Sequence, residues 1–278
     1  MNKTIAVVGL GLIGGSLCKA LRENTPHTVL GMDQNSRVAE FALSCGAIHT
    51  IASDRDMARA DVVFLGLYPS AAVAFAEEKG HLIKKGAIVC DVSGIKTWLC
   101  GKMPALAAKY GWIFVGTHPM AGKERNGFEY SEASLFEGAS FLITPCGAPE
   151  PAVRQVESLA LEMGFGRAVR TTPEEHDRLI AFTSQVPHAL ACAYVLSPSC
   201  PRHKGFSAGS YRDVSRVARI NESLWSELFV ENREPLVGEL DTLIGHLAAL
   251  RDAVAAGDRE TLSAMLRQGR RVKEDLGE

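Results

Sequence analysis

The chain lacks the features that mark several protein classes. Thirty Lys and Arg against thirty-two Asp and Glu leave a formal net charge of -2. No global positive field therefore draws it to nucleic acid or to a membrane surface. No apolar run reaches the roughly eighteen residues of a membrane helix. The seven cysteines (Cys18, Cys45, Cys90, Cys100, Cys146, Cys192 and Cys200) are odd in number and contain no Cys-x-x-Cys pair. That excludes the usual zinc and disulfide-scaffold patterns and predicts free thiols in a reducing compartment, with no metal site. Internal repeats and low-complexity tracts are missing, which excludes solenoid and collagen-like architectures.

What is present is an ordinary globular composition, 46% hydrophobic and 22% charged over 278 residues. A chain of this size suggests about two domains, each with its own core. Near the N-terminus, Lys3 precedes an apolar run ending near Cys18 that resembles a secretory signal. Gly9, Gly11, Gly14 and Gly15 interrupt it at spacings with a chemical meaning of their own. The expected location is cytoplasmic.

In the first half, short runs rich in Val, Ile, Leu and Ala alternate with helical stretches. Residues 5–9, 29–33, 61–67, 87–92, 112–117, 140–144 and 168–170 are the predicted strands. Near-continuous rather than alternating hydrophobicity is the pattern of strands buried on both faces, so a doubly wound, mainly parallel α/β sheet is expected. The character changes at Thr172-Pro173-Glu174-Glu175, which combines an N-cap, Pro at the first helical position and Glu at the third. Beyond it no strand is predicted. Leu236, Leu240, Leu243, Leu247, Leu250 and Val254 form one apolar helical stripe, a core face or a subunit interface, ended by Gly257. The expected domains are a Rossmann-like nucleotide-binding unit at 1–171 and an all-helical unit at 172–278.

Gly9-Leu10-Gly11-Leu12-Ile13-Gly14 follows a strand and opens a helix. The first glycine permits a tight turn, the second lets backbone approach a pyrophosphate, and the third lets helix and strand pack closely. The N–H groups at Leu12 and Ile13 then face the phosphates at the helix N-terminus. Asp33 ends the next strand, where a carboxylate accepts from ribose hydroxyls and repels a 2′-phosphate. NAD is therefore expected over NADP, although Arg37 lies close enough in sequence to receive a phosphate.

Strand ends of a doubly wound sheet line its ligand crevice. His118, in Thr117-His118-Pro119-Met120-Ala121-Gly122-Lys123-Glu124, stands at such an end, where a neutral imidazole can take a hydroxyl proton. Asp91-Val92-Ser93-Gly94-Ile95-Lys96 follows another strand and offers a hydroxyl and an amine. In the helical half, Ser184, His188, Arg212, Arg216 and Trp225 stand out, Arg216 as a guanidinium partner for a carboxylate.

Taken in order, the glycine fingerprint, Asp91–Lys96, His118-Pro-Met-Ala-Gly-Lys-Glu124, Pro187-His188 and the Arg216 region resemble the prephenate dehydrogenases of tyrosine biosynthesis. The resemblance covers about residues 4 to 255. It implies NAD-dependent oxidative decarboxylation of prephenate to 4-hydroxyphenylpyruvate, or the same chemistry on arogenate. His118 then matches the catalytic histidine and Arg216 the ring-carboxylate anchor. His188 falls near the substrate side chain, with Ser184 beside it and Trp225 at the far side of the pocket. A serine common at position 94 in the family, where it helps orient the catalytic histidine, is Gly94 here. The hydroxyl stands one residue earlier, at Ser93, so that a small backbone shift or a water does that job or it is done less well. Lys123 replaces a smaller polar residue and is either a carboxylate contact or solvated. The resemblance further implies a homodimer joined through helical domains. With a doubly negative substrate and a net charge of -2, attraction must come from a few local cations.

Overall fold

The computed structural model describes residues 2–277. Eight strands form one sheet: β1 (Thr4–Val8), β2 (Thr28–Met32), β3 (Thr50–Ile51), β4 (Val62–Leu65), β5 (Ile88–Asp91), β6 (Ile113–Pro119), β7 (Ser140–Thr144) and β8 (Arg167–Arg170). Their spatial order is β3-β2-β1-β4-β5-β6-β7-β8, and every pairing is parallel except β6 with β7. β1, β4 and β5 are buried almost throughout, as their unbroken apolar runs require. The two-residue β3 escapes sequence reading because it is too short to show a period.

Helices α1 (Leu12–Asn24), α2 (Ser36–Ser44), α3 (Pro69–Lys79), α4 (Thr97–Cys100), α5 (Met103–Tyr110) and α6 (Glu150–Glu162) connect the strands. Two buried apolar clusters result. One contains Leu17, Leu21, Phe136, Phe141 and Val156; the other contains Met57, Val73, Leu99, Met103 and Trp112. The order reverses beside β1, between β2 and β4, and there the chain leaves β1 through the glycine turn. Gly9 has φ +87°, a left-handed conformation that suits glycine. A Cβ at Gly14 would lie 1.9 Å from the Gly9 carbonyl oxygen, and one at Gly66, after β4, would lie 2.6 Å from the same oxygen. Three backbone segments thus meet where only hydrogens fit.

After β8 the chain is helical: α7 (Pro173–Ile180), α8 (Val186–Val195), α9 (Gly209–Ser215), α10 (Glu222–Glu231), α11 (Arg233–Ala256) and α12 (Arg259–Asp275). Thr172 caps α7 by accepting from the Glu175 N–H at 3.2 Å. The Glu175 carboxylate takes the Thr171 hydroxyl instead of closing the reciprocal half of the box. A π turn at Ala181–Gln185 joins α7 to α8. Pro187 has no N–H for the Thr183 carbonyl and its ring crowds that carbonyl, so a widened turn just before it relieves both problems. By compactness, residues up to Asn232 form one unit and Arg233 onward a second. The second is a helical pair, α11 and α12, broken by Gly257 at φ +67° and restarted by Asp258, whose side chain accepts from Thr261 N–H.

The expectation of seven free thiols needs correction at two positions. Cys100, closing α4, and Cys146, just after β7, are joined in a disulfide with Cα atoms 5.9 Å apart; the other five are free. Forty-six residues separate the pair in sequence. Their proximity comes from sheet order, with β6 bringing the segment after β5 beside the end of β7, and no local spacing announces it. No described helix is long and apolar enough to cross a membrane.

The glycine turn generates a stability test. Gly14→Ala should lower unfolding free energy by about 1–3 kcal/mol, because the backbone itself must move. Gly11→Ala, where an added Cβ meets nothing within 4 Å, should cost under about 1 kcal/mol as a cap change. Urea titrations of the two variants measure the difference; equal losses would count against the contact.

Candidate active site

The dinucleotide cradle is built from the first two strands. Gly11 is the N-cap of α1 and supplies no side-chain cap, so the first N–H groups of the helix, at Leu12 and Ile13, face outward for an anion. Asp33, just past β2, accepts from the Leu10 N–H at 2.8 Å and from the Asn35 N–H at 2.8 Å. It therefore holds the glycine turn in shape as well as presenting a carboxylate at the crevice. Arg37 is exposed in the first turn of α2. Open space over Gly11 and free helix N–H groups fit a bound pyrophosphate.

The segment after β5 is set by a fully buried ion pair. Lys96 Nζ donates to Asp91 Oδ2 at 2.5 Å and to the carbonyls of Ser93 and Ile95 at 2.7 and 2.9 Å. Asp91 also accepts from the N–H groups of Ser93 and Thr117, and the Thr117 hydroxyl donates to its carbonyl. All three ammonium protons of Lys96 are used. Its role is to pin the turn, since none is left for a ligand. Burial pushes its pKa down, and Asp91 opposes that by favouring the charged form.

His118 lies part-buried near the end of β6. Its Nδ1 is 2.9 Å from His176 Nε2, and His176 Nδ1 is 2.7 Å from Asp177 Oδ1. Asp177 in turn accepts from the backbone N–H groups of Lys96 and Thr97, both at 2.7 Å. Burial pushes the Asp177 carboxyl up, but the bonds from His176 and Thr97 bring it below its ordinary value. His118 is held well below the ordinary histidine value of 6.5, first by burial and then by His176 and Lys96. Its Nε2 is the nitrogen left for a ligand, and the ring as a whole is uncharged at neutral pH.

Ser93, expected to orient this imidazole, does not: its buried hydroxyl has no hydrogen-bond partner. The hydrogen-bond partner of His118 is His176, which sequence reading missed. Its signal was a His-Asp pair one turn into a capped helix, where it passes for ordinary first-turn polarity. Gly94 sits close by: a Cβ there would lie 3.8 Å from His118 Cε1 and 3.6 Å from Leu228 Cδ1. Leu228 thus places α10 as a wall beside the imidazole.

On that wall, Trp225 stacks on His188 with ring centroids 3.7 Å apart, and His188 Nδ1 donates to the Ser184 carbonyl at 2.8 Å. The structure therefore brings His188, Ser184 and Trp225 together, Ser184 through its backbone. Burial lowers the His188 pKa. Gln185 and Asn232, also missed, fix α10 from behind: Asn232 Nδ2 donates to Gln185 Oε1 and to the Asp177 carbonyl, and Gln185 Nε2 donates to the Leu228 carbonyl. The other side of α10 is tied to the start of α3, where Ser70 N–H donates to Glu227 at 2.6 Å. Arg216, exposed after α9, is ion-paired with Glu124 of the loop following His118. Lys123 is paired with Glu132 at 2.7 Å.

With this geometry in view, comparison with known proteins is decisive. Residues 17–168 match the family model for the prephenate dehydrogenase nucleotide-binding domain, and residues 172–268 match that for the prephenate dehydrogenase dimerization domain. The chain belongs to the prephenate dehydrogenase family. It is 30% identical to a cyclohexadienyl dehydrogenase of Zymomonas mobilis over 98% of this chain and 95% of that one. It is equally identical, at 30%, to a prephenate dehydrogenase of Bacillus subtilis over 99% of this chain and 76% of the relative. The crystal structure of prephenate dehydrogenase from Aquifex aeolicus in complex with hydroxyphenyl propionate and NAD+ superimposes with a TM-score of 0.88 at 26% identity, covering 99% of both chains. The chain is thus a member of a dehydrogenase family, with a nucleotide-binding domain followed by a dimerization domain.

The buried pair behind the site makes a prediction of its own. Lys96→Ala should cost about 3–5 kcal/mol, because the Asp91 carboxylate is left buried and uncompensated. The double variant Asp91→Asn with Lys96→Met should cost less than Lys96→Ala. Denaturant midpoints test this, and a milder loss in Lys96→Ala would show that Asp91 reaches solvent.

Proposed function

We propose that this protein catalyses the NAD-dependent oxidative decarboxylation of prephenate to 4-hydroxyphenylpyruvate in tyrosine biosynthesis, as a cytoplasmic homodimer. The observation that carries the reading is His118: an imidazole at the end of a crevice strand, held neutral by its surroundings, with Nδ1 engaged and Nε2 available. When bound, NAD supplies the oxidant, accepting a hydride from the ring carbon that bears the hydroxyl. His118 takes the hydroxyl proton as that hydride leaves. When the bond to the ring carboxylate breaks, carbon dioxide departs and its electron pair aromatises the ring onto the oxygen, which recovers the proton from His118. His118 is base and then acid, and no net proton is consumed.

Gly9, Gly11, Leu12, Ile13 and Gly14 are assigned to the pyrophosphate, and Asp33 to the adenosine ribose. Asp33 favours NAD, with Arg37 at the rim. Arg216 is assigned to the ring carboxylate, which must compete with Glu124 for the guanidinium. The His188–Trp225 stack is assigned to the side-chain end, with Ser184 holding His188 in orientation. Lys123, already neutralised by Glu132, is a weaker anchor than its charge suggests.

A specific observation keeps arogenate as the second reading. The His188 Nδ1–H is spent on the Ser184 carbonyl. A neutral His188 therefore presents an Nε2 lone pair, which suits the ammonium of arogenate, whereas the keto group of prephenate calls for a protonated Nε2. The Zymomonas mobilis relative carries the broader name cyclohexadienyl dehydrogenase.

NADH formation by purified protein, with each substrate and with NAD or NADP, tests the reading; turnover is expected with NAD, and none with any combination would overturn it. His118→Asn should lower kcat by about 10²–10⁴-fold with NAD affinity retained. The acid limb of kcat/KM should inflect below the ordinary histidine value of 6.5, since the neutral base persists under acid; an inflection above that value would contradict the depressed pKa of His118. For assembly, Ile244 and Leu247 on α11 are exposed in a single chain at 60% and 48%. Replacing both with Glu should yield monomers by sedimentation, and a surviving dimer would place the interface elsewhere.

A further inference from the structure

We infer that His176 and Asp177 are positioning residues that set the protonation pattern of His118. This rests on the reading of His118 as the base and concerns how its proton-accepting nitrogen comes to face the substrate. Three nitrogens and a carboxylate stand in line. Asp177 Oδ1 lies 2.7 Å from His176 Nδ1, and His176 Nε2 lies 2.9 Å from His118 Nδ1. The carboxylate has no proton to give, so His176 carries its proton on Nδ1 and presents a lone pair at Nε2. That lone pair can only accept, which forces the proton of His118 onto Nδ1. Nε2 of His118 is then left with its lone pair toward the crevice, the one tautomer that can take a hydroxyl proton. Two links of hydrogen-bond parity carry the constraint from Asp177 to the reacting nitrogen.

Each neighbouring feature agrees. Position 94 has no side chain to orient the ring, and the Ser93 hydroxyl has no partner. Among the described residues His176 is the hydrogen-bond partner of His118. His176 and Asp177 are themselves buried, at 1% exposure each, and neither reaches the crevice to contact substrate. Asp177 is locked by the N–H groups of Lys96 and Thr97, so the chain is anchored in the same turn that Lys96 pins from inside. When His118 gains its proton, the new charge lies in line with the Asp177 carboxylate across one neutral ring, which favours the protonated state during turnover without a second charge in the crevice.

Among the described residues the charged groups facing the relay are Lys96 and Asp91 behind it, paired with each other, and Asp177 at its end, held by His176 and by the N–H groups of Lys96 and Thr97. None of them supplies an alternative acceptor at His118 Nδ1. A phenylalanine at 176 fills the ring's space and offers no acceptor, whereas a glutamine can place its amide oxygen near the position of Nε2.

The test compares His176→Phe and His176→Gln in the full-length enzyme. His176→Phe should lose about 30- to 1000-fold in kcat, on the scale of a base left in the wrong tautomer. Its KM for the substrate and its NAD affinity should stay within about threefold of wild type, a split that a merely structural role does not produce. His176→Gln should recover at least about tenfold of that loss. Wild-type kcat in His176→Phe, a loss confined to KM or NAD binding, or equal losses in the two variants would overturn the inference. The tautomer is also measurable without turnover or substitution at 176. In protein labelled with 15N-histidine, the His118 signals, assigned by their loss in His118→Asn, should report a proton on Nδ1. A proton on Nε2 would overturn the relay. Should wild type turn over neither prephenate nor arogenate, the functional reading falls, and the nitrogen spectrum still decides the relay.

Discussion

The site depends on one carboxylate more than on any other group. Asp177 sits in the first turns of α7, yet its two oxygens accept the backbone N–H groups that open α4, just after the β5 turn. A buried carboxylate must be paired, and here its partners come from two parts of the chain about eighty residues apart. That requirement fixes the start of the helical region against the C-terminal end of the sheet. It also fixes the angle at which His176 meets His118. Were the carboxylate to move, the crevice wall, the imidazole and the turn would lose their common reference together.

Around that point the fold repeats one device, a buried polar side chain tied to several partners at once. Lys96 spends three protons on Asp91, Ser93 and Ile95, and Gln185 and Asn232 satisfy each other while gripping the Leu228 and Asp177 carbonyls. Such networks add little net stability compared with apolar packing, but they tolerate only one arrangement. Rigidity of this kind suits the role proposed for His118, a base that must be aimed within tenths of an ångström. By contrast, the groups assigned to the substrate's charges, Arg216 with Glu124 and Lys123 with Glu132, are ion pairs open to solvent. Exposed pairs are weak and exchange readily. In the proposed reaction the chemistry is held by buried parity and the capture of substrate by loosely held charge.

Much of this was legible in the residues. Unbroken Val-Ile-Leu runs announced strands covered on both faces, and β1, β4 and β5 are buried as that predicts. The glycine spacing announced a backbone meeting, and the contact of Gly14 with the Gly9 carbonyl shows why no side chain fits. His118 was marked by its place at a strand end, and the Thr172 cap marked the onset of helix. Other features had no sequence signature. β3 is too short for a period, the Cys100–Cys146 pair is adjacent only through strand order, and Gln185 and Asn232 become partners only when α8 and α10 pack. Ser93 shows the limit most clearly, because a hydroxyl next to the expected position in sequence meets no hydrogen-bond partner in space.

By itself, then, the sequence determined the local conformations, because periodicity, capping and glycine tolerance are properties of neighbouring residues, and its motifs carried the resemblance to the family. It placed an imidazole at the crevice and a guanidinium in the helical half. Which nitrogen of His118 is engaged, and by what, was decided only by tertiary structure. Hydrogen-bond parity depends on groups from β6, α7 and the turn after β5 meeting within 3 Å, and no spacing along the chain encodes that meeting.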